Sequence, residues 1–230
     1  MSKRNKLKKF EEVAHFPNVR QCPDPTQPGL YHKHEPVDDL KGKWSKVFFS
    51  SAQPLVLELA CGKGEYTLGL ARRYPKINVL GVDVKGARIW RGAKTALEEN
   101  LTNAGFLRTR IEVLDALFDP GEISEIWITF PDPFPKKENR RLLSTRFLDM
   151  FHQLLEANGF LHLKTDDTDY FNYAVEQIEK HPGYEMTDCL RDIYSSSNIV
   201  EILEIKTFYE KQHLKAGKTI KYLKAKKCAL

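Results

Sequence analysis

From residue 54 onward, short apolar runs of β character alternate with stretches of helical length, and this alternation restricts the fold more than any other feature of the chain. LVLELA (55–60), NVLGVD (78–83), TRIEVLD (109–115), EIWITF (125–130) and FLHLK (160–164) read as strands. The intervening helices run from the glycine turn CGKGE to about Arg73, from Lys85 to Asn100, and from Thr168 to Lys180. A further helix passes through LDMFHQLLEA, with Ser144 as its N-cap and Gly159 as its stop. Such alternation specifies a doubly wound α/β fold, a mostly parallel sheet with helices on both faces. Two late runs, YEMTDCL and EILEIKTF, read as a terminal antiparallel hairpin around a Ser195–Ser197 turn. Residues 1–40 contain Pro17, Pro23, Pro25, Pro28 and Pro36 and show no lasting periodicity, so they read as a basic N-terminal arm lying extended. Residues 41–230 read as the domain that follows it.

A chain of 230 residues with 41% hydrophobic content is long enough to bury a core without disulfides or metals. No run approaches the roughly 18 apolar residues of a membrane span. MSKRNKLKKF is basic but no apolar segment follows it, so no secretory signal is expected. Cys22, Cys61, Cys189 and Cys228 form no CxxC pair, which points away from a metal site and toward a reducing cytoplasm. Charge is unevenly placed. Residues 1–10, 136–146 and 211–230 hold 17 of the 36 Lys and Arg but one of the 31 acids, leaving 19 bases against 30 acids elsewhere. An acidic body with three basic segments fits a polyanionic partner if those segments share a face, and a set of solvated tails if they do not.

Ligands of such folds bind past the carboxyl ends of the strands. The residues there are Gly62, Gly64, Asp83, Asp115, Asp132 and Asp166, a set rich in carboxylates. Glycine lets a turn approach a ligand closely, and a carboxylate ending the second strand can accept both ribose hydroxyls. The dinucleotide pattern GxGxxG is absent, because Glu65-Tyr66-Thr67-Leu68 separates Gly64 from Gly69, and no Walker loop is present. A carboxylate-rich mouth repels pyrophosphate and suits a cationic nucleoside, so S-adenosylmethionine, with its sulfonium and ammonium, fits better than NAD. A lone glycine turn or strand-end Asp is an ordinary turn or helix cap. The ordered series of glycine turn, Asp83, Asp115-Ala116 and a Pro-Asp-Pro motif carries the reading.

That motif lies in Phe130-Pro131-Asp132-Pro133-Phe134-Pro135-Lys136-Lys137, where three alternating prolines make a stiff loop that cannot extend a sheet. With ELACGKG (58–64), GVD (81–83), DA (115–116), KTDD (164–167) and TFYEK…GKTIKYL (207–223), the chain resembles the bacterial tRNA (guanine-N7)-methyltransferases over residues 54–225. The resemblance implies a Rossmann-like class I methyltransferase fold, a seven-stranded sheet with its last strand antiparallel, and a tRNA substrate modified at variable-loop guanosine 46. It also implies that Glu58, Asp83, Asp115 and Asp132 contact the cofactor, and that Lys136, Asp166, Thr207 and Glu210 contact the substrate. Gly62, Gly64 and Ala116 join the cofactor set through the motifs that contain them. Ala60 departs from the pattern, standing where the family loop often has its first glycine; the swap is tolerated where the backbone is not left-handed.

Guanine N7 carries a free lone pair, so its attack on a sulfonium methyl requires no prior deprotonation. The remaining task is in-line alignment, with a fixed carboxylate stabilising the positive charge that develops on the purine. Asp132 is placed for that catalytic role, and Asp166 with Glu210 matches the N1–H and N2 donors of guanine. Lys136, Lys137, Arg140, Arg141, Arg146 and the C-terminal lysines are expected on RNA phosphates. His32 and His34 read as exposed arm residues rather than metal ligands, and no metal is expected. Monomer and homodimer remain open. Two rival readings also stand: methylation of an exocyclic amine, and a protein that binds S-adenosylmethionine and RNA without turnover.

Overall fold

The structure is a computed structural model and describes residues 3–195 and 201–229. Its strands are β1 (Val19–Gln21), β2 (Tyr31–His32), β3 (Glu35–Pro36), β4 (Leu55–Leu59), β5 (Asn78–Asp83), β6 (Ala104–Arg108), β7 (Ile123–Thr129), β8 (Leu155–Thr165), β9 (Tyr184–Leu190) and β10 (Lys221–Lys227). The helices are α1 (Lys3–His15), α2 (Glu65–Arg73), α3 (Gly86–Glu98), α4 (Leu114–Leu117), α5 (Thr145–Leu154), α6 (Thr168–Lys180) and α7 (Phe208–Lys215). All strands join one sheet in the order β3-β2-β1-β6-β5-β4-β7-β8-β10-β9. From β1 to β8 neighbours run parallel, and β10 pairs antiparallel with both β8 and β9.

The sheet has ten strands rather than seven. Strands β4 to β10 form the expected seven, and three short strands from the first forty residues extend the β6 edge. The central strands are apolar along their length because both faces are covered: all residues of β4 and β5 are buried. Leu55, Leu57 and Leu59 enter one core with α5 and α6, whereas Val56 enters the other with α1, α2 and α3, the period-two alternation of a strand.

Three segments differ from their sequence reading, the first being the helix through LDMFHQLLEA, which ends at Leu154 and not at Gly159 because β8 begins at Leu155. The third core strand is AGFLR at 104–108, not TRIEVLD, whose residues form a 3-10 turn (Ile111–Val113) and α4. Gly105 weakens the strand signal, yet the position needs it, because a Cβ there would meet the Phe48 ring at 2.4 Å. The partner of β9 is KYLKAKK, not EILEIKTF, whose residues contribute a 3-10 turn (Glu201–Glu204) and the start of α7. Lysines hide the β pattern of KYLKAKK, but Leu223 and Ala225 are fully buried, and Lys224 lays its ammonium over the Phe160 ring at 4.2 Å. Of the expected turn, Ser196 and Ser197 lie outside the described residues.

The first forty residues are also not extended throughout. Phe10, Val13 and Ala14 have the i, i+3, i+4 spacing of a helix face, and α1 packs that face on α3. The Trp90 indole N–H donates to Glu12 at 2.6 Å, and Asn18 donates to the Ala93 carbonyl at 3.0 Å. Among the described residues no helix is long and apolar enough to cross a membrane. Because Val13 is fully buried between α1 and the body, Val13→Ala should cost about 2 kcal/mol by loss of buried methyls plus the cavity left behind. Urea unfolding measures this; an unchanged midpoint would mean that the arm helix is undocked in solution.

Candidate functional site

A cleft of about 880 Å³ opens past the carboxyl ends of β4, β5, β6, β7 and β8, in the size range of small-molecule sites. Its floor is the turn between β4 and α2. Ala60, Gly62 and Gly64 all have positive φ there, at 57°, 58° and 70°. The two glycines serve different needs. A Cβ on Gly64 would strike the Phe106 ring at 2.5 Å, whereas one on Gly62 would meet nothing nearer than the Ala60 carbonyl at 4.0 Å. Ala60 is left-handed, so the condition under which its substitution for glycine is harmless does not hold; such a residue carries roughly 1–2 kcal/mol of local strain. Cys61 is buried, and burial together with the nearby Glu58 and Asp83 carboxylates pushes its thiol well above its ordinary range, so no thiolate nucleophile forms.

Glu58 lies beneath this turn on the central strand, 1% exposed. Its Oε2 accepts the Thr67 N–H at 2.7 Å and the Thr67 hydroxyl at 2.5 Å, and its Oε1 accepts the Thr129 hydroxyl at 2.8 Å. Burial pushes the carboxyl up to about 7, against the pull of those hydrogen bonds. Asp83, at the end of β5, accepts the Gly62 N–H at 2.9 Å and the Lys85 N–H at 2.7 Å. Each of its oxygens keeps a further lone pair.

The proline loop leaves β7 and forms one wall of the cleft. Phe130 and Phe134 bracket Asp132 at φ 50° and 41°, strained conformations for aromatic residues of the kind that cluster at functional sites. Asp132 is exposed to the cleft. Arg141 holds the loop: its Nε donates to the Pro133 carbonyl at 2.9 Å and its guanidinium lies over Tyr173 at 4.4 Å. At 6% exposure Arg141, expected on phosphate, braces this loop. Arg140 and Arg146 face the cleft, while Lys136 and Lys137 are exposed outside its lining.

On the β8 side, Asp166 Oδ2 pairs with Lys218 at 2.6 Å and His213 at 3.2 Å. Thr207 lines the cleft and caps α7, accepting the Glu210 N–H. Glu210 itself is fully buried, 2.8 Å from the equally buried Lys164 ammonium and 2.6 Å from the Tyr194 hydroxyl. Lys164 also donates to the Leu203 and Ile205 carbonyls, and burial pulls its ammonium below the ordinary range. Both contacts of Glu210 use its Oε1, and its buried Oε2 has no hydrogen-bond partner among the described residues. Asp115 and Ala116 sit outside the lining, on α4, because the strand they seemed to end stops at Arg108; Thr109, Arg110, Ile111 and Glu112 occupy that part of the wall. Sequence reasoning missed His213, Phe208 and Tyr209, although all lie in the TFYEK…GKTIKYL segment it singled out, and it had Lys218 only among the C-terminal lysines.

Removing one member of a buried ion pair strands the other charge. Glu210→Gln should therefore cost roughly 3–5 kcal/mol of unfolding free energy, read by chemical denaturation. A variant as stable as the parent but without turnover would instead put Glu210 on the substrate.

A family model described as a putative methyltransferase matches residues 52–223. The tRNA (guanine-N(7)-)-methyltransferase of Bacteroides fragilis is 46% identical over 222 residues, 96% of this chain and 85% of the relative. That of Christiangramia forsetii is 45% identical over 229 residues, covering 98% and 99% of the two chains. Among solved structures, the 16S rRNA methyltransferase KamB superposes with a TM-score of 0.62 at 15% identity, covering 85% of this chain and 97% of that one, a likeness of fold. On a Rossmann-like class I methyltransferase fold, the chain belongs to the tRNA (guanine-N(7)-)-methyltransferase family.

Proposed function

We propose that this protein transfers a methyl group from S-adenosylmethionine to N7 of a guanine in tRNA, with variable-loop guanosine 46 as the target. The observation that carries the reading is the placement of Asp132 on a strained, proline-stiffened loop facing the glycine turn across one cleft. The residues present fit the cofactor. Gly62 leaves the cleft open where a Cβ would project, Asp83 retains lone pairs for two hydroxyls, and the Glu58 and Asp83 carboxylates lie together at this end of the cleft. When bound, the cofactor supplies a methyl group on a positively charged sulfur. Gly62, Asp83 and the buried Glu58 beneath them hold the nucleoside end of the cleft. Asp132 offsets the positive charge that develops on the purine as N7 is alkylated. Asp166, with Oδ2 held by Lys218 and His213, turns Oδ1 to the N1–H and N2 donors of guanine, which adenine does not offer together. Arg140 and Arg146 take phosphates beside the proline loop.

One observation favours a second reading. His213 is the imidazole in the cleft wall and pairs with Asp166, the geometry of an oriented base, which methylation of an exocyclic amine would use. The chemistry of the product separates the two. N7-methylguanosine is cationic and labile, so borohydride and aniline should cut the product tRNA at a single site. Methyl incorporation without that cut would move the reaction to an amine.

Glu58 sets a pH dependence. Its carboxyl, raised to about 7, must be ionised to stabilise a cationic ligand, so binding below that pH releases a proton. The dissociation constant of S-adenosylmethionine should therefore fall as pH rises from 6 toward 7, by up to about tenfold per unit, and level off above it. Titration calorimetry in buffers of different ionisation enthalpy reads both effects. Glu58→Gln should weaken binding and flatten the profile; a variant with the parental slope would put the titrating group elsewhere.

A further inference from the structure

We infer that the lip of the cleft opposite the proline loop is a second RNA-backbone site, a cationic stripe of Lys85, Arg88 and Arg91 continued by Arg110. The inference rests on the tRNA reading above and extends it to a surface that neither the motifs nor the basic segments of the sequence indicated.

Topology places this stripe. The central strand β4 divides the cleft: β7 and β8 lie on one side, carrying the proline loop and Asp166, and β5 and β6 lie on the other. The stripe follows β5, and Arg110 follows β6. Lys85, Arg88 and Arg110 line the cleft, and Arg91 stands one turn further along α3. Lys85 is the N-cap residue of α3, and Arg88 and Arg91, three residues apart and both exposed, share one face of the helix.

All four side chains are exposed, and among the described residues none makes a salt bridge or a side-chain hydrogen bond. Two acids share the cleft wall with them, Asp83, which accepts the Gly62 and Lys85 backbone N–H groups, and Glu112, and neither pairs with their side chains. The acids of α3 and its end are Glu98, paired with Lys94, and Glu99, paired with Arg72. Glu12 of the docked arm is held by the Trp90 indole, 3.7 Å from Lys8. Glu112 is the acid nearest in sequence to Arg110. The bland alternative is a solvated helix face, but stability does not account for it. The first turn of α3 carries no acid and no side-chain cap, so cations there work against the helix dipole.

A base drawn into a cleft leaves phosphates on either side of it. One lip then receives the strand entering and the other the strand leaving. With Arg141 withdrawn to brace the proline loop, Arg140 and Arg146 serve one side and the stripe serves the other.

The test is the triple variant Lys85→Gln, Arg88→Gln, Arg91→Gln in the full chain, with tRNA affinity measured from 50 to 200 mM salt. Its dissociation constant at the upper end should rise at least tenfold, and the slope of log K against log salt should fall by roughly 2–3, about 0.7–0.9 per lost contact. S-adenosylmethionine should bind within about twofold of the parent, and the melting temperature should not drop, which excludes misfolding. Arg140→Gln with Arg146→Gln should weaken tRNA binding further when added to the triple variant. A parental salt slope in the triple variant would overturn the inference and leave the tRNA reading standing. A parent protein that neither binds nor methylates tRNA would remove the tRNA reading, and this inference with it.

Discussion

The carboxylate of Glu58 is the constraint on which the site depends. It sits on the central strand, buried, and three hydrogen bonds tie it to Thr67 in α2 and Thr129 at the end of β7. Those bonds join the three elements that bound the cleft floor. The turn from β4 can then rise over the carboxylate in a left-handed path, with Asp83 gripping the Gly62 N–H from the neighbouring strand. Burying an acid this deeply is costly without partners. Here the hydrogen bonds that offset this cost are the same ones that organise the turn.

The far side of the cleft is organised by a second buried charge pair. Lys164 on β8 and Glu210 on α7 are both excluded from solvent, and the Lys164 ammonium also gathers the Leu203 and Ile205 carbonyls. The pair anchors the segment that carries Thr207, Phe208, Tyr209 and His213 to the cleft wall. Such pairs contribute little net stability but penalise any arrangement that separates them. The same logic explains Arg141, whose charge is spent on the Pro133 carbonyl and the Tyr173 ring to hold the proline loop at its strained phenylalanines.

Much of the site was legible because the chemistry sits directly after strands whose apolar runs are unmistakable. Glu58, Gly62, Asp83, Asp132, Asp166 and Thr207 all line the cleft or its floor. Asp115 and Ala116 lie outside the cleft lining, and the reason they read as lying at a strand end is local: Ile111 and Val113 give TRIEVLD the alternation of a strand, while Gly105 dilutes the signal of the true one. Glu210 and Arg141 are buried and paired inside the protein, and they read as contacts for a different reason. A charged residue in a motif looks like a ligand contact until its partners are known, and Lys164 lies 46 positions before Glu210.

What the sequence by itself determined is the doubly wound class, the central strands and the line of residues at their carboxyl ends, because hydrophobic period and turn chemistry are local properties. What only the tertiary structure decided is which charges face the cleft and which are consumed inside the protein. Exposure and ion pairing depend on contacts between residues far apart in the chain. That is why the arm helix on α3, the lysine-rich β10 between β8 and β9, the buried Glu210 and the exposed Arg88 and Arg91 of α3 became visible only once the sheet was assembled.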